Sequence, residues 1–177
     1  MIRTISDQRA PLWRRNRMNF SVEPLKNFSA AEVVVMLDLT PLPNEGGWFR
    51  RTYADEQCST ILYLMAAGDG FSALHKLSGA EILTFAGGEP ARSLLLHPNG
   101  SSEVLTLGQD YRKRHQPQII VPKGTWQGTA TLGDWTLITA TMAPPYTDES
   151  FVLGEYKNLC EHWPEHAEQI KVLTRSF

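Results

Sequence analysis

Between Trp48 and Met142 the apolar positions fall into short runs rich in β-branched and aromatic residues, cut at intervals by turn-forming clusters. The pattern predicts strands over 48–54, 58–67, 71–77, 80–87, 91–97, 102–107, 118–121, 127–132 and 135–143. Gly68-Asp-Gly70, Ser78-Gly79, Pro98-Asn-Gly100 and Gly133-Asp134 supply the turn chemistry between them. About nine short, evenly spaced strands predict an antiparallel barrel or jelly roll. The flanks read differently. Ser29-Ala-Ala-Glu32 has the form of a capping box, and Val33, Val34, Met36 and Leu37 continue a helical stripe to about Asp38, where Pro41 and Pro43 end it. Near the other end, Leu159, Trp163, Ala167, Ile170 and Leu173 recur at helical spacing through 155–162 and 164–173, with Pro164 placed for a first turn.

The stretch Gly70–Gly88 carries the strongest candidate chemistry. Read as two strands joined at Ser78-Gly79, it sets His75 opposite Glu81, with cross-strand neighbours about 5 Å apart. An imidazole and a carboxylate on one face can hold a divalent metal or work as an acid/base pair; they can also be a buried hydrogen-bonded pair that stabilises the hairpin. Val121–Gln127 forms a second strand-and-turn unit that ends in another possible ligand, Gln127. Glu45 and Arg50 flank a Gly46-Gly47 turn. They can bind a polar substrate, Arg50 gripping an anion, or pair with each other. Tyr63, Gln118, Trp126 and Gln127 can supply stacking and hydrogen bonds to a pocket, or pack in the core. His97 and His115 read as surface residues. His162 and His166 stand four apart but lack an HExxH-type carboxylate, so they read as exposed or capping.

Composition narrows the function. A length of 177 residues suits one domain with short additions, and 42% hydrophobic residues allow a real core. A net charge of −2 gives no reason to expect nucleic acid as a partner. Two distant cysteines, Cys58 and Cys160, fit a reducing compartment and give no zinc pattern. No apolar run is long enough for a membrane span, and residues 1–17 are too polar for a secretory core, so a cytoplasmic protein is expected. Residues 1–24 read as a basic extension before a domain at 25–177. Its first 17 residues carry five arginines, Arg3, Arg9, Arg14, Arg15 and Arg17, against one acid, Asp7. Such an arm needs a docking surface, and an outer strand needs cover; both favour a homodimer.

The two motifs at 70–88 and 118–127 resemble those of the cupin superfamily, a small antiparallel jelly-roll barrel. More closely, residues 29 to 175 resemble the cupin-5 family, also called domain of unknown function 985. The likeness rests on Pro43-Asn-Glu45-Gly-Gly-Trp-Phe-Arg50-Arg-Thr-Tyr53, Ser59-Thr60, His75-Lys-Leu-Ser-Gly-Ala-Glu81, Pro117–Gln127, Trp163-Pro-Glu-His166 and Leu173-Thr-Arg175. It implies a single barrel with an N-terminal helix and C-terminal helices, and a ligand pocket in the barrel mouth. The general cupin pattern has a second histidine where this chain has Leu77, and a histidine at Gln127. His75, Glu81 and Gln127 therefore make at most a modest metal site, and an oxygenase centre would be incomplete. Leu83, where relatives often carry an aromatic, should leave a smaller pocket wall. The basic loop Asp110–Gln116 also departs from the family's usual short form. The resemblance leads to a small-molecule enzyme of isomerase, epimerase, cyclase or lyase type, using His75 and Glu81 on an unknown substrate. The alternatives are a non-catalytic metabolite-binding cupin and, third, a metal-dependent oxygenase.

Overall fold

The computed structural model describes residues 25–68 and 70–175. The basic extension at 1–24 lies outside the described residues, as does the expectation attached to it. A short helix, α1 (Ala30–Met36), precedes eleven strands: β1 (Thr40–Pro41), β2 (Trp48–Ala54), β3 (Ser59–Ala66), β4 (Ser72–Leu77), β5 (Ala80–Gly88), β6 (Ala91–Leu96), β7 (Ser102–Leu107), β8 (Gln118–Val121), β9 (Trp126–Thr131), β10 (Trp135–Ala143) and β11 (Phe151–Leu153). Two helices, α2 (Tyr156–His162) and α3 (Ala167–Val172), follow with a 3-10 turn between them. The capping box forms as expected: Ser29 Oγ accepts the Glu32 amide at 3.3 Å while Glu32 accepts the Ser29 amide at 2.8 Å.

The strands make two antiparallel sheets, one of six in the order β1-β2-β3-β10-β5-β8 and one of five in the order β11-β4-β9-β6-β7. Tyr63, Met65, Leu83, Leu95, Leu107, Ile119 and Ile138 pack between the sheets. Each sheet also buries its outer face. Leu62, Leu64, Trp135 and Leu137 lie beneath Val33 of α1, and Trp135 Nε1 donates to the Phe28 carbonyl at 2.9 Å. On the other side, Leu74, Leu94 and Leu96 are covered by Leu159, Trp163, Ile170 and Leu173 of the C-terminal helical segment. The helical spacing read from the sequence is therefore the packing stripe.

One expectation is overturned. β4 and β5 do not pair as a hairpin, because their neighbours in the sheets are already taken. β4 lies between β11 and β9; β5 lies between β10 and β8. The Ser78-Gly79 turn carries the chain from one sheet to the other. The Ser78 amide donates to the Ser150 carbonyl at 3.0 Å, and Leu77 O accepts the Gly124 amide at 2.8 Å, so the end of β4 is tied to other segments. His75 and Glu81 thus come from opposite sheets.

Candidate functional site

A cavity of about 330 Å³ lies between the sheets, within the range usual for small-molecule pockets. Its walls are mostly apolar, including Phe49, Ile61, Met65, Leu83, Ile138 and Phe151. Into them project His75, Glu81, Gln127, Glu45 and Tyr63. Period-two alternation explains the five-stranded wall. His75 and Gln127 are register partners on β4 and β9, so both face inward.

His75 is 4% exposed and its Nδ1 donates to the Ala73 carbonyl at 2.8 Å. That bond fixes the tautomer and leaves Nε2 as the nitrogen able to exchange a proton. The ring stacks on Phe151 with centroids 5.1 Å apart. Glu81 accepts from Gln127 Nε2 at 2.6 Å. Burial pushes the Glu81 carboxyl up to about 7 and the Glu45 charge adds to the rise, while His75 and the Gln127 hydrogen bond oppose it. A carboxyl so placed changes protonation near neutral pH.

Glu45 enters on the loop between β1 and β2. Its carboxylate accepts from Ser72 Oγ at 2.7 Å and stands 4.0 Å from His75 Nδ1. The loop is pinned on all sides. Its carbonyl accepts the Ala73 amide at 3.0 Å and Arg175 Nε at 3.2 Å, and Gly46 O accepts the Tyr63 hydroxyl at 2.8 Å. Gly47 is required here: φ is +68°, and a Cβ would stand 2.7 Å from the Leu64 carbonyl oxygen. Burial and the nearby Glu45 charge hold the Tyr63 phenol well above its ordinary value, so it stays a donor.

Three residues expected in the pocket lie elsewhere. Arg50 is exposed on β2, and its neighbour Arg51 lines the cavity instead. Gln118 is exposed on β8 and donates to Thr84 Oγ1 at 3.1 Å. Trp126 packs on the opposite face of its sheet, among the residues beneath the C-terminal helices, with Lys76 Nζ 4.7 Å from its ring centroid. The sequence reading missed Arg51, Ser72, Tyr146, Asp148 and Phe151. Alternation with the apolar Phe49 could have singled out Arg51; the loop leading to β11 carries no periodic signal. The remaining histidines lie away from the cavity. His97 is half-buried rather than a free surface residue, with Nε2 2.8 Å from Glu103. His162 is exposed, and half-buried His166 meets Ser102 Oγ at 2.7 Å.

The donor set does not fit a resident cupin metal. Among the described residues no group of three His, Cys, Asp or Glu side chains stands ready to hold an ion. Gln127 turns its amide nitrogen to Glu81, and an NH₂ group is no ligand. His75 and Glu81 alone are two ligands where such sites use three or four.

The molecule is thus a two-sheet antiparallel β protein that encloses a polar cluster in an apolar cavity. The chain belongs to the cupin superfamily, in the family described as domain of unknown function 985, whose model matches residues 31–154. A solved protein from Shewanella oneidensis is similar, with a TM-score of 0.79 and 27% identity over 85% of this chain and 99% of that one. A hypothetical protein from Leishmania major has a TM-score of 0.76 at 19% identity, over 84% of this chain and 100% of its own. Oxalate decarboxylase from Bacillus subtilis shares the fold more distantly, with a TM-score of 0.53 and 14% identity over 77% of this chain and 37% of the enzyme. No curated protein matches in sequence.

Proposed function

We propose that this cupin is a small-molecule enzyme that moves protons, of the isomerase, epimerase, cyclase or lyase type. The observation that carries the reading is the meeting of His75 and Glu81, from opposite sheets, in one apolar cavity. Ionised Glu81 takes a proton from a carbon beside a carbonyl. The C–H electron pair moves toward the carbonyl oxygen, and a donor at that oxygen stabilises the enolate. His75 Nε2–H, in its protonated form, serves as that donor. Return of the proton to the other face, or to a neighbouring carbon, gives the product and restores both groups. A Glu81 carboxyl that titrates near 7 suits this work, because both of its forms are populated at neutral pH.

The test is isotope exchange. The protein is incubated in D₂O with a panel of small ketones and keto acids, and deuterium beside the carbonyl is read by NMR. Exchange with at least one compound is expected, falling by about 100-fold or more in Glu81→Gln, the scale of general-base loss. Ligands that bind with no exchange anywhere in the panel would leave the non-catalytic metabolite-binding reading, which the hydrogen bonds already made by Glu81 and Glu45 favour as the second choice.

A further inference from the structure

Arg51 is exposed, yet it lines the cavity. Among the described residues it is the only lysine or arginine that lines the cavity. Its guanidinium stands 6.0 Å from the centroid of the Tyr146 ring, at the outer limit of a cation–π contact. No ion pair or hydrogen bond engages it among the described residues. Arg175, by contrast, donates to the Glu45 and Phe71 carbonyls and lies over the Phe71 ring. Five guanidinium N–H donors at a pocket rim are thus uncommitted.

The partners around Arg51 are placed by the fold. Tyr146 is held by its amide, which donates to Ser59 Oγ at 2.9 Å. Its phenol stays protonated, since burial and the nearby Asp148 raise it above its ordinary value. The Arg51 guanidinium, the Tyr146 hydroxyl and the Asp148 carboxyl beside it therefore flank one side of the cavity, and the guanidinium is the cationic group there. β7 and β8 come together at the far margins of the two sheets, while β2, next to the short marginal strand β1, and the marginal β11 lie toward the other side; Arg51 on β2 meets Tyr146 in the segment leading to β11. The other acids of the cavity are Glu45, whose charge also reaches Tyr146, and Glu81. Glu45 and Glu81 repel an anion and accept hydrogen bonds.

The register also sets a distance. Arg51 pairs with Ile61, Ile61 with Ala140, and Ala140 with Leu83, one pleat from Glu81 on β5. Three strand spacings put the two backbones about 14 Å apart along the sheet. Both side chains reach inward from there, and the remaining gap needs a ligand several bonds long.

Building on the proton-transfer reading, we infer that the substrate is a small organic carboxylate whose charged end is held by Arg51 and Tyr146 at the mouth. Its uncharged carbonyl end, several bonds away, enters first and meets Glu81 and His75. Arginine suits this role because its fork matches a carboxylate with two parallel hydrogen bonds. The acids inside then enforce orientation, since a carboxylate driven inward would meet Glu45 and Glu81.

The test uses 5-oxohexanoate and its uncharged analogue 5-oxohexanamide, titrated by ligand-observed NMR against the wild type, Arg51→Gln and Arg51→Lys. The keto acid should bind the wild type about tenfold or more tighter than the amide, the worth of one charge-assisted contact. Arg51→Gln should abolish that preference, and Arg51→Lys should keep part of it. Equal affinity for acid and amide, an unchanged preference in Arg51→Gln, or no binding of the acid at millimolar concentration would overturn the inference. Deuterium incorporation beside the ketone, read in the same samples, separates the two ideas. Arg51-dependent binding without exchange removes the proton-transfer reading and leaves the carboxylate site standing. Exchange with equal affinity for acid and amide does the reverse.

Discussion

The two faces of the five-stranded sheet make opposite use of the same strands. On the outer face Leu74, Leu94 and Leu96 meet Leu159, Trp163, Ile170 and Leu173, and Gly128 leaves room for Leu74 and Leu173. A Cβ at Gly128 would stand 2.9 Å from Leu74 Cγ. On the inner face, the strands present His75, Gln127, Ser93 and Thr129, all buried. Ser93 and Thr129 satisfy each other at 2.8 Å, and Gln127 serves Glu81. Leu74 and His75 are neighbours in sequence, but one belongs to a dry core and the other to a polar cavity. Burying a polar group costs free energy unless it is hydrogen-bonded, and burying an ionisable one costs more, so the Glu81 carboxyl that meets the inner face carries a desolvation cost. The covered outer face offsets that cost. A sheet packed on one side can carry chemistry on the other.

The largest effect expected from breaking this division lies on the outer face. Trp163 is 7% exposed, and its Nε1 donates to the Gly100 carbonyl at 3.1 Å. Trp163→Ala should cost about 3–5 kcal/mol of unfolding free energy, through lost burial, a residual cavity and an unpaired carbonyl. Urea denaturation measures it. The division predicts little change in the affinity of the folded variant for a pocket ligand; a large loss of affinity at full folding would show that the two faces are coupled.

On the inner face the sign reverses. The folded-state pKa of Glu81 is raised from 4.5 to about 7, so the folded chain binds the extra proton between those values. Stability contributed by this group is therefore greatest at the acid end and falls as pH rises from 4.5 to about 7. The shift corresponds to roughly 3 kcal/mol lost by pH 8. Glu81→Gln keeps the shape and still accepts from Gln127. It should unfold at a higher temperature than the wild type at pH 8, with the gap closing toward pH 4, while exchange activity is lost. A lower melting temperature at pH 8 would make the carboxylate part of the scaffold.

Much of this arrangement is legible in the sequence, and the illegible part has physical causes. Strand alternation and turn residues locate the nine longer strands to within a residue or two at each end. The Ser29–Glu32 capping box and the Leu159–Leu173 stripe are local signals, and both appear as expected. His75 and Glu81 do face a common cavity, but the hairpin inferred from their spacing does not exist. Sheet membership depends on which partners compete for each strand edge, and sequence spacing does not carry that information. The sequence singles out Arg50 for its place with Glu45 around the Gly46-Gly47 turn; the register of β2 with β3, which pairs Arg51 with the cavity-lining Ile61, shows that its neighbour Arg51 is the one that faces inward. β1 and β11 have two and three residues, too few for any period to show. Tyr146 and Asp148 lie in an aperiodic loop.

A smaller effect sharpens the polar side of the comparison. Gln127 is 3% exposed and gives Glu81 its hydrogen bond. Gln127→Leu has nearly the same volume and extends the apolar character of the outer face inward. With the carboxylate left unpartnered, the change should cost about 1–2 kcal/mol at pH 8. The cost should shrink at pH 5, where Glu81 is protonated. NMR titration of the Glu81 side-chain carboxyl should then show its pKa moved upward from the wild-type value. A downward move would mean that Gln127 does not stabilise the charged form.

The smallest effect belongs to Arg50, and its value lies in the contrast with Arg51 one residue away. Arg50 is exposed on the outer side of β2, opposite Leu62 in the register with β3. It makes no ion pair or hydrogen bond among the described residues and does not line the cavity. Arg50→Ala should change the unfolding free energy by no more than about 0.5 kcal/mol, as surface substitutions usually do. Binding of 5-oxohexanoate should be unchanged, whereas Arg51→Gln weakens it. Long-range charge could blur this contrast, because either substitution removes one positive charge near the mouth. Repeating the titration at about 0.5 M salt separates the two, since a Debye length of only a few ångströms screens an exposed charge beyond its contacts. If Arg50→Ala weakens binding at high salt as much as Arg51→Gln does, side-chain parity along β2 does not decide which arginine serves the site.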